Sequence, residues 1–362
     1  MSRLIEFVAL ASLVSTAWAL DCVQIPDSYI FAGDEFFHPH NNSQAVTLPP
    51  NFNCIYLIKS QSNSSDLLYG TVEVTNMLKG VNDYITVTDS LGAKSTIKSQ
   101  SDSLFTYEIF PGRNVSVRVV TKSVQMNSQF LIRVTYEKVN VGPTTMMKTG
   151  GAMNFVDLST LRGYSDKYSS SITIKGTEPI ALSMATSRIQ FPFTYLFHCY
   201  VIDGDFNNQQ SVHRLMEFVD APPFWSKTNT VTIVSFRKDF YNGTAAVLNP
   251  ISEAQKFGFL FTEASLNGDL NRVSLSSLDK PEAVEILAVQ NKQIIMTSLT
   301  FTGKITSNCT ASVVTGPPNN SSQLLLDLKT AQGLMPYTFN LQYFSVIAKE
   351  CSFAFTVKSP EH

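Results

Sequence analysis

Charged side chains are scarce in this chain. They make up 15% of its 362 residues, and the net charge is −2. That removes the electrostatic basis for binding nucleic acid or anionic lipid. Histidine is rare too, with five copies counting the terminal His362, which leaves few general bases. There is no Gly-x-Ser-x-Gly elbow, no His-Glu-x-x-His pair, no phosphate loop and no Cys-x-x-Cys. A glycosidase carboxylate pair needs no local motif, because its two acids need only meet in space. Past residue 20 no apolar run reaches the length of a membrane-spanning helix. The end, Phe353–His362, lacks the apolar tail of a lipid-anchor signal, so soluble secretion is expected.

What is present points to secretion. A basic start at Ser2-Arg3 leads into the apolar run Leu4–Val14 and then Ala17-Trp18-Ala19, a small-x-small cleavage site. Residues 1–19 read as a signal peptide, with the mature chain starting near Leu20 or Asp21. Behind such a signal, Asn-x-Ser/Thr triplets are candidate glycan acceptors: Asn41, Asn63, Asn114, Asn242, Asn308, Asn319 and Asn320. Asn308 is the acceptor least expected to be occupied, because it overlaps Cys309. Five cysteines remain, and the compartment permits disulfides. Sequence leaves connectivity open. Nearest-neighbour pairing gives Cys22–Cys54 and Cys309–Cys351, each stabilising by roughly 4 kcal/mol in the chain-entropy model. Cys199 is left over. Its apolar run Tyr195–Val201 reads as a buried free thiol, with an intermolecular disulfide as the alternative.

Alternating and β-branched runs dominate, as in Cys54–Lys59, Tyr84–Asp89, Asn114–Thr121, Phe130–Tyr136, Thr194–Ile202, Thr230–Phe236, Ile294–Thr302 and Ser352–Lys358. Turn signals such as Pro49-Pro50-Asn51, Pro111-Gly112 and Pro317–Asn320 separate them. Many short strands at this spacing indicate all-β sandwiches. Helical turns are expected only near Ser211–Phe218 and Ser252–Lys256. The stretch 139–151 breaks the pattern and reads as a linker. A weaker break lies at Asn249-Pro250. The expected division is therefore 20–138, 139–151 as linker, 152–250 and 251–362. The middle segment reads as a degenerate repeat of the first: Asn114–Val119 resembles Asn229–Val234.

Four stretches carry a family resemblance: Leu48–Tyr56, Asn82–Gly92, Phe110–Arg118 and Phe130–Tyr136. In this order and spacing, residues 22–138 resemble the CUB-like domain of the nematode family of secreted CUB-like proteins. The resemblance covers about a third of the chain. It implies a jelly-roll β-sandwich, followed here by one or two further β-sandwich units. It also implies secretion and a non-enzymatic role in innate immune defence against bacteria. No cofactor is implied. The partner is an unnamed extracellular glycan or protein, with raft association only through that partner and no direct membrane insertion.

Calcium-binding CUB domains use converging carboxylates. Glu73 and Asp83 fall at suitable places, but Lys122 stands where the third carboxylate belongs, and strand-surface and capping roles compete. Asp203–Asn208 reads as a tight hairpin rather than a calcium loop, since its sixth and twelfth positions are Asn208 and Arg214. Phe36–His40 reads as a partly exposed aromatic loop. In Asp220–Ser226, Phe224 and Trp225 are the candidate ligand contacts, with loop packing as the competing reading. The leading expectation is ligand recognition through sandwich-end loops. A structural or mucus-like component of the luminal surface is the alternative, and a cryptic glycoside hydrolase the third.

Overall fold

The computed structural model describes Cys22, Ile25 and residues 30–361, apart from 41, 61, 64–65, 123–126, 163–168, 187–195, 237–242, 266 and 304. The expected signal segment, Asn41, Asn242 and the side chain of Asn63 lie outside the described residues. The chain divides into two compact units, Met1–Lys138 and Val139–His362.

The first unit runs β1 (Glu35–His38), β2 (Val46–Thr47), β3 (Asn53–Lys59), β4 (Ser62–Asn63), β5 (Asp66–Met77), β6 (Tyr84–Thr88), β7 (Lys94–Lys98), β8 (Leu104–Ile109), β9 (Asn114–Val120) and β10 (Gln129–Lys138). One sheet has the order β1-β10-β5-β4, with β2 also on β10 and β8 on β5; the other is β3-β9-β6-β7. Period-two side-chain alternation decides which face is buried. Cys54, Tyr56 and Ile58 of β3 and Val115, Val117 and Val119 of β9 meet Val72, Val74, Ile132 and Val134 in one core. Burial of each such aliphatic side chain stabilises by roughly 1.5–3 kcal/mol. Asp89 accepts the backbone N–H groups of Leu91 and Ala93 at 3.0 and 2.8 Å, and Gly92 adopts φ 91°. That Asx turn joins β6 to β7. Cys22 is joined to Cys54.

Phe36–His38, expected in a loop, belongs to β1, which pairs antiparallel with β10 from Glu35↔Thr135 to His38↔Ile132. The stretch was hard to read because its strand is short and sits at a sheet edge, with a proline directly after it.

The second unit runs β11 (Thr144–Met146), β12 (Asn154–Asp157), β13 (Ser171–Lys175), β14 (Ile180–Ala185), β15 (Cys199–Asp205), β16 (Asn208–Arg214), β17 (Phe224–Trp225), β18 (Thr230–Ser235), β19 (Ala245–Pro250), β20 (Phe259–Ala264), β21 (Asn271–Ser277), β22 (Glu282–Leu287), β23 (Ile294–Phe301), β24 (Thr310–Thr315), β25 (Leu324–Asp327), β26 (Tyr337–Phe339), β27 (Tyr343–Lys349) and β28 (Cys351–Lys358). Short 3-10 turns cover Leu158–Thr160, Leu215–Phe218 and Gln332–Leu334, and an α turn, α1, covers Ile251–Ala254. Sheets β11-β13-β18-β15-β16 and β12-β19-β14-β17 enclose one core, and sheets β20-β22-β27-β24-β25 and β21-β28-β23-β26 enclose another. Cys199 is buried in the former and belongs to neither disulfide, and Cys309–Cys351 closes a loop in the latter.

Residues 139–151, expected as a linker, are built into this unit. Thr144–Met146 pairs parallel with Thr173–Lys175, Asn140 exchanges hydrogen bonds with Ser170, and Met147 N–H donates to Lys175 O at 2.8 Å. A Cβ on Gly142 would meet Ser171 O at 1.7 Å, so only glycine permits this approach.

The two sandwiches of this unit stack face to face. Leu182 and Met184 of β14 and Leu248 of β19 point into the first core, while Ala181, Ala185, Ala245 and Val247 point out toward Leu260, Ala264, Ala283 and Leu287. Strand β14 is buried at every position, and β19 and β22 at all but a terminal one. Small side chains on both faces of this seam let the backbones of neighbouring sheets approach closely.

Candidate functional site: a cleft at the seam of two sandwiches

Glu285 lies in the middle of the seam with no solvent exposure. Its Oε2 accepts the Asn249 amide at 2.8 Å and the Thr262 hydroxyl at 3.5 Å, and its Oε1 has no hydrogen-bond partner among the described residues. Burial pushes its pKa up to about 7, against the opposing effect of those two hydrogen bonds. Asn249 and Thr262 each line a different cavity.

Thr262 lines a cleft of ≈ 280 Å³ between the two sandwiches. Phe218 ends the 3-10 turn and Asp220 follows it before β17, Phe259 and Glu263 come from β20, Arg272 from β21 and Glu282 from β22. Phe259 is 41% exposed and lies 5.1 Å, ring to ring, from Phe261, which also lines the cleft. Glu263 is buried and accepts the Asn271 amide at 2.9 Å. Glu282 accepts Ser276 N–H at 2.9 Å, which fixes the turn beside the cleft. Asp220 takes φ 51°, a backbone state that short polar side chains tolerate. The cleft thus combines aromatic faces with carboxylates and a guanidinium, able to hold a ligand carrying both an apolar face and paired polar groups. Beyond Asp220, nothing in the sequence groups these residues, because they come from four separated stretches.

The candidate pair Phe224 and Trp225 is split by strand alternation. The expected loop contains the two-residue strand β17, pairing Trp225 with Ala181 and Phe224 with Leu182. Phe224 is core, 5.4 Å from the Phe218 ring and 5.6 Å from His213, whereas Trp225 is 42% exposed. His213 also lies 3.2 Å from the Ser211 hydroxyl and 3.3 Å from Glu217. The order of groups is that of a nucleophile relay, but neither seam cavity includes Ser211 or His213. Ser211 and His213 lie on β16, and Glu217 lies in the 3-10 turn that follows it.

The candidate carboxylates of the first unit have other partners. Glu73 lies on β5 and pairs with Arg133 at 3.0 Å; Arg133 also meets Glu35. Asp83 is buried before β6 and accepts Lys122 N–H at 2.8 Å and the Ser128 hydroxyl at 2.6 Å. The Lys122 ammonium lies over the Tyr84 ring at 5.8 Å. Among the described residues no three His, Cys, Asp or Glu side chains cluster as metal ligands. His38 is buried against Tyr56, 5.1 Å between ring centroids, and desolvation lowers its pKa to about 4. His40 faces solvent. Asp203 secures the loop before β18, accepting Lys227 N–H, Thr228 N–H and the Thr228 hydroxyl at 2.8, 3.1 and 2.8 Å. Asp205 caps the β15–β16 hairpin by accepting the N–H groups of Asn207 and Asn208.

Paired sheets recurring along the chain define an all-β sandwich protein. Residues 17–140 match the family model of the CUB-like domain, so the first unit is a CUB-like domain. That match ends as the second unit begins. No curated protein matches the chain. Among solved structures it is similar to the CUB1-EGF-CUB2 domain of human MASP-1/3, at 11% identity and a TM-score of 0.22, covering 60% of this chain and 98% of that one. A triple jelly-roll structure from an archaeal virus is similar at 11% identity and TM-score 0.23, over 91% of this chain and 90% of that one. The extracellular region of zebrafish Gpr126/Adgrg6 is similar at 10% identity and TM-score 0.24, over 93% and 52%. No helix among the described residues is long and apolar enough to cross a membrane.

Proposed function

We propose that this protein is a secreted, glycosylated, non-enzymatic recognition protein of extracellular innate defence. The CUB-like domain, the two disulfides and the acceptor triplets support the extracellular setting. The observation that carries the recognition role is the ≈ 280 Å³ cleft with its exposed Phe259 and flanking Asp220, Arg272 and Glu282. Aromatic faces stack on the apolar faces of sugar rings or side chains, and charged groups pair with hydroxyls or peptide polar groups. The ligand class is a surface glycan or a protein segment, met through a loop at the end of the second sandwich.

The test is retention of the purified protein on intact bacteria and on a glycan panel, with calcium and with chelator. Selective retention that Arg272→Ala and Phe259→Ala each reduce at least tenfold, with unchanged unfolding midpoints, supports the reading. Retention indifferent to both variants places recognition elsewhere. No retention on any surface favours a luminal coat component, for which self-association is the matching measurement.

A further inference from the structure

The acceptor triplets include one overlapping pair. In Asn319-Asn320-Ser321-Ser322 each asparagine is an acceptor by sequence. The fold uses the two differently. Asn319 is half-buried, and its side-chain amide donates to Gly150 O at 3.0 Å. Its Oδ1 accepts Ser321 N–H at 2.8 Å, and its own N–H donates to the Ser322 hydroxyl at 2.9 Å. The Ser322 hydroxyl in turn donates to Pro317 O. The same loop presses on the glycine pair at 150–151: Gly316 has φ 64°, and a Cβ there would lie 2.1 Å from Gly151 O. Asn320 is exposed, and its side chain makes no hydrogen bond to a described residue. Asn114 and Asn308 are exposed as well. Asn319 is the exception among the described acceptors.

We propose that Asn320, and not Asn319, carries the N-linked glycan in the folded protein, and that Asn319 stays unmodified as a clamp. The clamp joins residues 150–151 to the 316–322 loop. The inference rests on the reading that the chain passes through the secretory pathway. In the transfer, the Asn320 amide nitrogen attacks C1 of a lipid-diphosphate-linked oligosaccharide. The N–C1 bond forms, the C1–O bond to diphosphate breaks, the lipid diphosphate leaves and one amide proton is lost. The same reaction at Asn319 would place a sugar ring where its amide nitrogen meets the Gly150 carbonyl. Chains so modified cannot close the clamp without displacing the loop. Asn320 also lines the second seam cavity, of ≈ 230 Å³, so its glycan stands beside that cavity and not beside the Arg272 cleft.

The experiment uses the full chain secreted from a eukaryotic host. Enzymatic deglycosylation in heavy-oxygen water converts a modified asparagine to labelled aspartate, and peptide fragmentation locates it. Label at 320 and none at 319 is expected. Ser321→Ala breaks only the Asn319 triplet and should leave the glycan in place, whereas Asn320→Gln should remove one glycan. Asn319→Ala should lower the melting temperature by roughly 2–4 °C through loss of the clamp. Label at 319, or loss of the glycan in Ser321→Ala, overturns the proposal, and an unchanged melting temperature in Asn319→Ala overturns the clamp. Sugar on Asn114 or Asn308 with none on Asn320 overturns this inference alone. Sugar on no triplet of the secreted chain likewise overturns this inference, whereas failure of the chain to reach the medium overturns the secretory reading.

Discussion

The two units solve the same packing problem at different depths. In the first, β3 alternates cleanly, with Cys54, Tyr56 and Ile58 inward and Ile55 51% exposed. Its sheets each cover one face and leave the other to solvent. In the second, β14, β19 and β22 have sheets on both sides, and their outward positions are filled by Ala181, Ala245, Ala283 and Glu285. The difference teaches where polar groups become consequential. A charge on the outer face of β3 meets water, whereas a charge on the outer face of β22 meets another sheet. The units also bury titratable groups of opposite kind, a neutral imidazole at His38 and a carboxyl at Glu285.

The largest expected contrast comes from placing the same charge on both outer faces. Ala283→Asp should destabilise the second unit by about 3–5 kcal/mol, because an unpaired charge is buried at the seam. Ile55→Asp should cost about 1 kcal/mol or less, since its carboxylate stays in water opposite Arg118. Denaturant unfolding of each variant measures both, and equal costs would remove the distinction between the faces.

Phe224→Ala should destabilise by about 3–5 kcal/mol and Trp225→Ala by less than about 1 kcal/mol, although the two residues are adjacent. Thermal unfolding separates them, and a large loss at Trp225 would show that its ring is packed.

The pH responses should have opposite signs. Glu285 has its folded pKa raised from the usual carboxylate value to about 7. The folded state therefore holds a proton that the unfolded state has released, and stability present below pH 4.5 is lost as pH rises through 7. Glu285→Gln should remove that slope and raise stability at pH 8 by about 2–3 kcal/mol. His38 has its folded pKa lowered to about 4. Its contribution is present above pH 6.5 and lost as pH falls toward 4, an effect of about 2 kcal/mol that His38→Phe should flatten. Urea titrations across pH 4–8 measure both slopes.

The first unit was the more legible in sequence because its strands show the two-residue period of half-buried sheets. Val115, Val117 and Val119 announce β9, and Ile85 and Val87 announce β6. The seam strands carry no such period. Glu282-Ala283-Val284-Glu285-Ile286-Leu287 has acids three apart and an alanine, a pattern that signals no strand, and both of its faces are covered by partners remote in sequence. Strand β21 was legible in principle, since Val273 and Leu275 alternate with Arg272, Ser274 and Ser276, but its polar half is weak in strand formers. The cysteine pairing followed from proximity in sequence. The cleft did not, because Asp220, Phe259, Arg272 and Glu282 converge only after the two sandwiches have stacked. Phe224 and Trp225 were visible as aromatics, but which one faced solvent depended on the pairing of β17 with β14.

The seam at Glu285 positions the cleft, since Thr262 both lines the cavity and donates to that carboxyl. The most direct test is calorimetry of the intact chain at pH 5 and pH 8, with and without Glu285→Gln. Two transitions moving in opposite directions, the second unit falling and the first rising from pH 5 to pH 8, are predicted, and only the fall should vanish in the variant. A second-unit transition that ignores pH, or shifts equally in Glu285→Gln, would contradict a titrating buried seam.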